Sequence, residues 1–315
     1  MILKSPGILK SIRWFDRGMI MARLIADQFQ QWEARCDERF RQLKENEEEL
    51  NRIFIEIYGL QDELSPEVED KAVTVRRANL QLEIKSLISY AVGCLFGRYS
   101  LDRAGVCYAG GSWEPSWYTT VVPNEDNILP ICDDEYLEDD LLEKIVHFVE
   151  VVYGKETLDE NLLFMAKALG GKGTPREVLR HYLLTGFYAD HLKTYHRRPI
   201  YWLFSSGKKN GFQALIYLHR YQPDLLALMR TDYVLVQQER YRTRLAMLEE
   251  AVVSAASAEK AKLNKKIARL KEQLLEIGAF EEKLHHLADQ MISMDLDNGV
   301  RVNYARFQDI LAEIK

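Results

Sequence analysis

Apolar residues recur through the N-terminal part of the chain at the spacing of an amphipathic helix. They are separated mostly by three, four or seven positions, and most residues between them are charged or polar. This pattern predicts one long helix over residues 24–57 that ends at Gly59. The apolar positions are Leu24, Phe29, Trp32, Cys36, Phe40, Leu43, Leu50, Phe54 and Ile57.

Two further helices are predicted downstream. Ser65 and Pro66 precede a pair of glutamates that suit a helix N-terminus, so we expect a new helix to open there. Residues 80–96 are apolar on most sides in their second half, which predicts a buried helix. Gly93 within it and Gly97 just after it have the spacing that lets a buried helix pack closely.

The pattern changes after residue 100. Glycines, prolines and tryptophans are frequent over residues 100–130, and the β-favouring run of residues 118–122 indicates turns and short strands there. Residues 125–143 then hold nine acids and no base. A helix that continues through Val152 is expected to begin inside this acidic run.

A heptad-like pattern marks the C-terminal third. The chain has no glycine or proline between Pro223 and Gly278, and apolar residues there step by three, four or seven, which predicts a coiled-coil arm. The small segment of residues 254–258 separates two such seams, so the arm is either an antiparallel hairpin or one unbroken helix. The seams are Leu245, Leu248, Val252 and Ala255, then Leu263, Ile267, Leu270, Leu274, Ile277 and Leu284.

These elements predict a mainly α protein with a smaller α+β portion, in which long amphipathic helices and the coiled-coil arm lie beside a recognition-like module. Four parts follow: an N-terminal segment and long helix over residues 1–64, a helical and mixed α+β module over 65–222, the arm over 223–294, and a tail over 295–315.

Composition narrows the class of protein. With 47% apolar residues the 315-residue chain can bury a sizeable core, and its net charge of −6 provides no global attraction to nucleic acid or anionic lipid. The four cysteines show no pairing pattern. The N-terminus lacks the features of a secretory signal, and the longest apolar run is far shorter than the roughly 20 residues of a membrane span. We therefore expect a soluble, cytoplasmic protein without membrane contact.

One segment nevertheless has a strong local charge. Residues 172–221 hold nine bases, two acids and ten aromatic residues. Cationic side chains with interleaved aromatics can contact phosphates and stack on bases. The alternative is an ordinary basic surface paired with the acidic run. The candidate phosphate contacts are Arg176, Arg180, Lys193, Arg197, Arg198, Lys208 and Lys209.

Other chemistry has little support in the sequence. The glycines at 170, 171 and 173 precede Thr174 without the order of a phosphate-binding P-loop, and a helix end followed by a loop is expected instead. His285 and Asp289 lie one helical turn apart, a spacing that also arises by chance on solvated faces. We predict no metal, cofactor-binding or catalytic residue in the chain.

Four blocks in order carry a family resemblance. They are KENEEELNRIFIEIYGLQDELSPEVEDK, ISYAVGCLFGRYSLD followed by YAGG, RPIYWLFSSGKKNGFQALIYLHRY, and DLDNGVRVNY. From about residue 29 onward the chain resembles the C-terminal half of PglX, the family of adenine-specific DNA methyltransferases in BREX phage-defence systems. Related blocks occur in type IIG restriction-methyltransferases. The first twenty or so residues resemble the family less well.

The resemblance implies a full enzyme that uses S-adenosylmethionine, an Asn-Pro-Pro-Tyr type motif and a glycine-rich loop. No two of the eight prolines of this chain are adjacent, and no such loop follows a predicted strand. No catalytic residue of the family can therefore be placed here, and we expect no methyl transfer from this chain alone. The region that remains resembles a DNA-targeting module with long helical spacers, whose partner would be double-stranded DNA.

A second interpretation gives the long helices another role. The helix of residues 24–57 and the seam from Leu263 to Leu284 could dock onto the methyltransferase domain, onto other BREX subunits or onto a second copy of the chain. This interpretation predicts a protein-interaction or oligomerisation scaffold. It is compatible with DNA targeting, because a full enzyme could use one face for each role.

Overall fold

The structure is a computed structural model that describes residues 23–137 and 140–314. The N-terminal segment of the first predicted part, residues 1–22, lies outside the described residues. Glu138 and Asp139 of the acidic run lie outside them as well.

The first helix, α1 (Ile25–Tyr58), matches the prediction from periodicity. It ends at Gly59, whose φ of 66° is readily adopted only by glycine. The amide of Leu60 donates to the Ile55 carbonyl at 2.9 Å and that of Gly59 to the Glu56 carbonyl at 3.2 Å. This Schellman arrangement satisfies carbonyls that the end of the helix leaves without partners.

The predicted helix at Ser65 and Pro66 is wrong. The segment from residue 60 to residue 79 runs back along α1 without forming a helix, because α1 side chains supply its partners. The Val68 amide donates to the Glu48 carboxylate at 3.2 Å, and Lys44 pairs with Asp70 at 2.8 Å.

Helix α2 (Leu80–Leu95) confirms the second predicted helix and is buried in its second half. Asn79 caps it by accepting from the Leu82 amide at 3.0 Å. A side chain at Gly93 would clash with the ring of Tyr99, so the close packing predicted there is confirmed.

Residues 96–127 are irregular apart from the 3₁₀ turn Pro115–Trp117, and the β-favouring run 118–122 forms no strand. Strand β1 (Ile128–Pro130) follows. Asp140 caps the next helix by accepting from the Glu143 amide at 3.0 Å, so that helix begins inside the acidic run as predicted. The helices of this part are α3 (Leu141–Tyr153), α4 (Leu158–Leu169), α5 (Pro175–Thr185) and α6 (Phe187–Thr194).

The sheet is antiparallel, with the order β1, β3, β2. Strands β2 (Tyr201–Ser205) and β3 (Gln213–Tyr217) form a hairpin in which Tyr201 pairs with Tyr217 and Ser205 with Gln213. Because side chains alternate along a strand, Tyr201 and Leu203 enter a core with α2–α6, while Trp202 and Phe204 enter a second core with the C-terminal helices. The sheet therefore lies between two helical layers.

The coiled-coil arm is the antiparallel hairpin rather than one helix. Helix α7 (Leu225–Leu228) continues through the π-helical segment Met229–Val234 into α8 (Leu235–Ser254), and α9 (Ser257–Ala288) returns beside it. Arg230 pairs with Glu281, and Glu249 with Lys271 at 2.7 Å, which fixes the antiparallel order. A short helix, α10 (Val300–Ala305), lies in the tail.

The fold class predicted from the sequence is confirmed: the molecule is mainly helical with a small α+β portion. The four predicted part boundaries stay a prediction. Among the described residues, no helix combines the length and the apolar character that crossing a membrane requires.

Candidate nucleic-acid interface

Two of the seven predicted phosphate contacts are held by acids of the same chain. Arg176 on α5 pairs with Glu143. Arg180, one turn later, pairs with Asp140 and donates to the Cys132 carbonyl at 3.0 Å. The Arg180 side chain is only 11% exposed and that of Asp140 only 1%. These two arginines join α5 to the acidic run. At these two positions the basic segment therefore has the alternative role, that of a basic surface paired with the acidic run.

Two more candidates lie on the β2–β3 turn. Lys208 and Lys209 are exposed, and the Lys209 ammonium group pairs with Glu272 of α9 at 2.7 Å. Glu276 accepts hydrogen bonds from the Ser206 hydroxyl at 2.8 Å, the Lys209 amide at 2.8 Å and the Gly211 amide at 3.0 Å. Acidic side chains of α9 therefore hold this end of the hairpin.

The remaining three candidates lie together at the other end of β2. Lys193, Arg197 and Arg198 belong to the end of α6 and the turn that follows, and all three are exposed. None of them forms an ion pair within 4 Å with a residue that the structure describes. His196 and Arg197 both have positive φ, 50° and 61°, which non-glycine residues seldom adopt. The turn thus combines an unusual backbone with three unneutralised charges.

Antiparallel pairing brings a second basic loop to this end of the sheet. Tyr217 pairs with Tyr201, and its hydroxyl accepts from the Arg98 guanidinium at 3.0 Å. His191 connects this region to the turn, since its ring lies 4.6 Å from that of Tyr195 and 4.8 Å from that of Tyr201. Arg98 and the α6–β2 turn therefore occupy the same end of the molecule.

Two arginine–tryptophan stacks extend the surface. The Arg103 guanidinium lies 3.8 Å from the ring centre of Trp117, and that of Arg220 lies 4.7 Å from Trp113. Both tryptophans are partly exposed. Aromatic rings and guanidinium planes are the groups on which nucleic-acid bases stack. We define the sheet-end surface as these stacks together with Lys193, Arg197, Arg198 and Arg98.

Asp102 fixes the loop that carries the stacks. Its carboxylate accepts from the amides of Thr119 at 2.7 Å and Thr120 at 2.8 Å, and from the Thr120 hydroxyl at 2.6 Å. Burial alone would raise the pKa of Asp102, but the hydrogen bonds from both threonines outweigh it and lower the pKa to about 2. The loop is thus held closed at neutral pH.

His191 is a structural group rather than a titrating one. Burial, followed by the charge of Arg98, lowers its pKa to about 3. The neutral ring accepts the Tyr201 amide hydrogen at Nε2, at 3.2 Å. This hydrogen bond holds the first residue of β2 next to the basic turn.

Sequence reasoning missed the non-local half of this surface. Arg98 and Arg103 lie outside the basic segment, and their partners Tyr217 and Trp117 are known only from the fold. Arg98 lies in the block ISYAVGCLFGRYSLD, which supported the resemblance but not the charge argument. The two tryptophans lie in the later stretch that indicated turns and short strands.

The structure also shows the surroundings of the glycine-rich segment and of His285 and Asp289, the two features weighed for phosphate and metal binding. Gly170 ends α4, and Thr174 and Glu177 form a reciprocal capping box at the start of α5, so this glycine-rich segment serves two helix ends. His285 and Asp289 are 3.7 Å apart on an exposed face, and no cluster of three or more potential ligands occurs among the described residues.

Comparison with known proteins places the chain beside adenine-specific methyltransferases. It is 49% identical over 285 residues to the adenine-specific methyltransferase PglX of Lacticaseibacillus casei, and 39% identical over 311 residues to the adenine-specific methyltransferase BrxX of Escherichia coli. Each match covers 89% of this chain but only 24% and 26% of the relative. No protein-family model matches.

The resemblance predicted from the sequence is therefore confirmed, and the chain is similar to a region of PglX-type adenine-specific methyltransferases. It spans about a quarter of the length of the curated relatives that it matches.

Proposed function

We propose that this chain is a DNA-targeting and scaffold portion, without catalytic residues of its own, of a BREX N6-adenine DNA methyltransferase that acts in phage defence. Methyl transfer and S-adenosylmethionine binding would belong to the part of the relatives that the chain does not match. Both relatives are named adenine-specific methyltransferases, and the DNA substrate is part of the proposal.

The sheet-end surface is the observation that supports the proposal. It combines the exposed charges of Lys193, Arg197 and Arg198 with partly exposed arginine–tryptophan stacks. Unneutralised bases attract the phosphate backbone, and the stack of Arg103 on Trp117 provides planar groups for bases. Arg176 and Arg180 are used by internal acids instead, so the proposed contact centres on the α6–β2 turn.

Binding of the whole chain to a labelled random-sequence DNA duplex tests the proposal. We expect fluorescence anisotropy to show binding that weakens steeply as salt rises, because each neutralised phosphate releases counterions. The double variant Arg197→Gln and Arg198→Gln should weaken binding to all sequences alike. The exposed lysines Lys155 and Lys167, which lie on other elements, are changed to glutamine as the charge-matched control. Absence of binding at low salt would refute DNA targeting by this chain.

A second candidate function, a protein-interaction scaffold, is favoured by the distal half of α1. Its first half is buried against the body, but Leu50, Phe54, Ile57 and Tyr58 are 54%, 54%, 69% and 70% exposed. They follow helical spacing and form one apolar face. The arm seam, by contrast, is not available for docking: Leu270 and Leu284 are buried inside the molecule.

Sedimentation velocity over a range of concentrations tests self-association through this face. Association that is lost in the double variant Phe54→Asp and Ile57→Asp would support the scaffold function. A wild-type chain that stays monomeric at high concentration would rule out its homo-oligomeric form.

A further inference from the structure

The distal part of the α8–α9 hairpin, from Arg240 to Lys271, is a second strongly basic part of the molecule. Residues 240–271 contain nine bases and three acids, a net charge of +6 in a chain whose overall charge is −6. No residue from 249 to 269 is buried. Since α9 continues for 13 residues between Ser257 and Leu270, the tip stands about 20 Å beyond the last buried layer of the hairpin.

Three lysines of the tip form no ion pair in the described structure. Lys262, Lys265 and Lys266 are exposed, and none forms an ion pair within 4 Å with any described residue. Positions three and four apart share one side of a helix, so these three lysines form a single stripe beside the apolar seam. Arg269 continues the stripe, but it is paired with Asp133 at 2.7 Å.

The acids of the tip do not neutralise the stripe. Glu249 pairs with Lys271 across the hairpin. Glu250 and Glu259 are exposed and form no ion pair within the described structure. The three lysines outnumber these two acids, so the stripe has a positive net charge. At the β2–β3 turn, by contrast, Glu272 and Glu276 of α9 bind the turn residues. No described carboxylate pairs with the three lysines in this way.

The stripe and the sheet-end surface lie at different places on the same molecule. Strand β2 separates the α6–β2 turn from the β2–β3 turn by about 16 Å. From Gln273, which contacts the β2–β3 turn, to Lys262 is a further 11 residues of helix, about 16 Å. Measured along these elements, the two basic surfaces are therefore up to about 30 Å apart.

We propose that Lys262, Lys265 and Lys266 form a second phosphate-contacting surface. Through it the arm binds the same DNA duplex that the sheet-end surface binds. A duplex carries about one phosphate charge per 1.7 Å of axis and is straight over several turns, so it is long enough to span the distance between the two surfaces. A small anion could occupy only one of them. The inference rests on the proposed DNA-targeting function and adds a separate site to it.

Salt-dependent binding of a random-sequence duplex of about three helical turns tests the arm directly. Three proteins are compared with the wild type: the arm variant Lys262→Gln, Lys265→Gln and Lys266→Gln; the sheet-end variant Arg197→Gln and Arg198→Gln; and a control with Lys155, Lys167 and Lys283 changed to glutamine. All three control lysines are exposed: Lys155 and Lys167 lie on other elements, and Lys283 lies on α9, 17 residues beyond Lys266. Lysine and glutamine have similar helix propensities, so circular dichroism should show unchanged helix content.

We expect the arm variant to flatten the slope of log binding constant against log salt by about 2 to 3, because each lost phosphate contact removes about 0.9. The control, with the same change in net charge, should retain the wild-type slope. An arm variant that matches the control while the wild type still binds would overturn the arm inference and leave the proposed function standing. Absence of binding by the wild type would overturn both.

Discussion

The two ends of the β2–β3 hairpin have similar charges but different surroundings. At the β2–β3 turn, Lys209 faces Glu272, and three donors of the turn converge on Glu276. At the opposite end, Arg197 and Arg198 have no acidic partner among the described residues. One of the two lysines of the β2–β3 turn is therefore neutralised by an acid, whereas neither arginine at the opposite end is.

Local charge alone therefore does not identify a binding surface. All of these bases come from one basic segment of the sequence, and only the fold shows which of them already have acids as partners. We expect substitutions at neutralised bases to affect the free energy of unfolding, and substitutions at unneutralised bases to affect binding.

The largest expected effect is on stability and concerns Arg180. Replacing it with alanine would leave the buried carboxylate of Asp140 without its cation. We expect a loss of about 3–5 kcal/mol in the free energy of unfolding, measured by chemical denaturation. Arg176→Ala is the control: the Arg176 and Glu143 side chains are 44% and 32% exposed, so its cost should stay below about 1 kcal/mol. Equal losses in the two variants would contradict this distinction.

A smaller loss is expected at Glu276. Glu276→Ala removes the shared acceptor of the Ser206 hydroxyl and of the Lys209 and Gly211 amides. Donors left without an acceptor should cost about 2–3 kcal/mol in the free energy of unfolding. Removal of the neighbouring Glu272, whose pair with Lys209 is half exposed, should cost less than about 1 kcal/mol. A negligible effect at Glu276 would show that the turn does not depend on α9.

The third prediction is a pH dependence caused by His191. Its pKa in the folded protein is lowered to about 3, below the ordinary value of about 6.5, so the unfolded chain binds the proton more tightly. Stability should therefore fall as pH drops from 6.5 toward 3, by about 2 kcal/mol at pH 5. His191→Gln keeps an acceptor for the Tyr201 amide and should show a correspondingly weaker fall. Identical pH profiles would contradict the assignment.

The elements whose structure depends on nearby residues could be predicted from the sequence. Helix α1, its end at Gly59 and the heptad seams of the arm follow from local spacing and from one glycine. Residues 60–79 could not be predicted, because their amides and charges find partners on α1, far away in sequence. The pairing of β2 with β3 is likewise a property of the folded chain.

The residues of the candidate site could be proposed from the basic composition of their segment, but their arrangement in space could not. The sequence identified Lys193, Arg197 and Arg198 within a larger basic set. It could not separate them from Arg180, since the acid that neutralises Arg180 lies 40 positions earlier. It could not include Arg98 either, because only the fold brings that side chain to Tyr217 at the same end of the sheet.

The most direct test of the central claim compares the two ends of the hairpin in one binding assay. The variants are Arg197→Gln with Arg198→Gln, and Lys208→Gln with Lys209→Gln, each measured by the salt dependence of duplex binding. We predict that the first pair flattens the slope by about 2 and that the second flattens it by less than about 1. Equal slopes for the two variants, or a larger effect at the β2–β3 turn, would contradict the account.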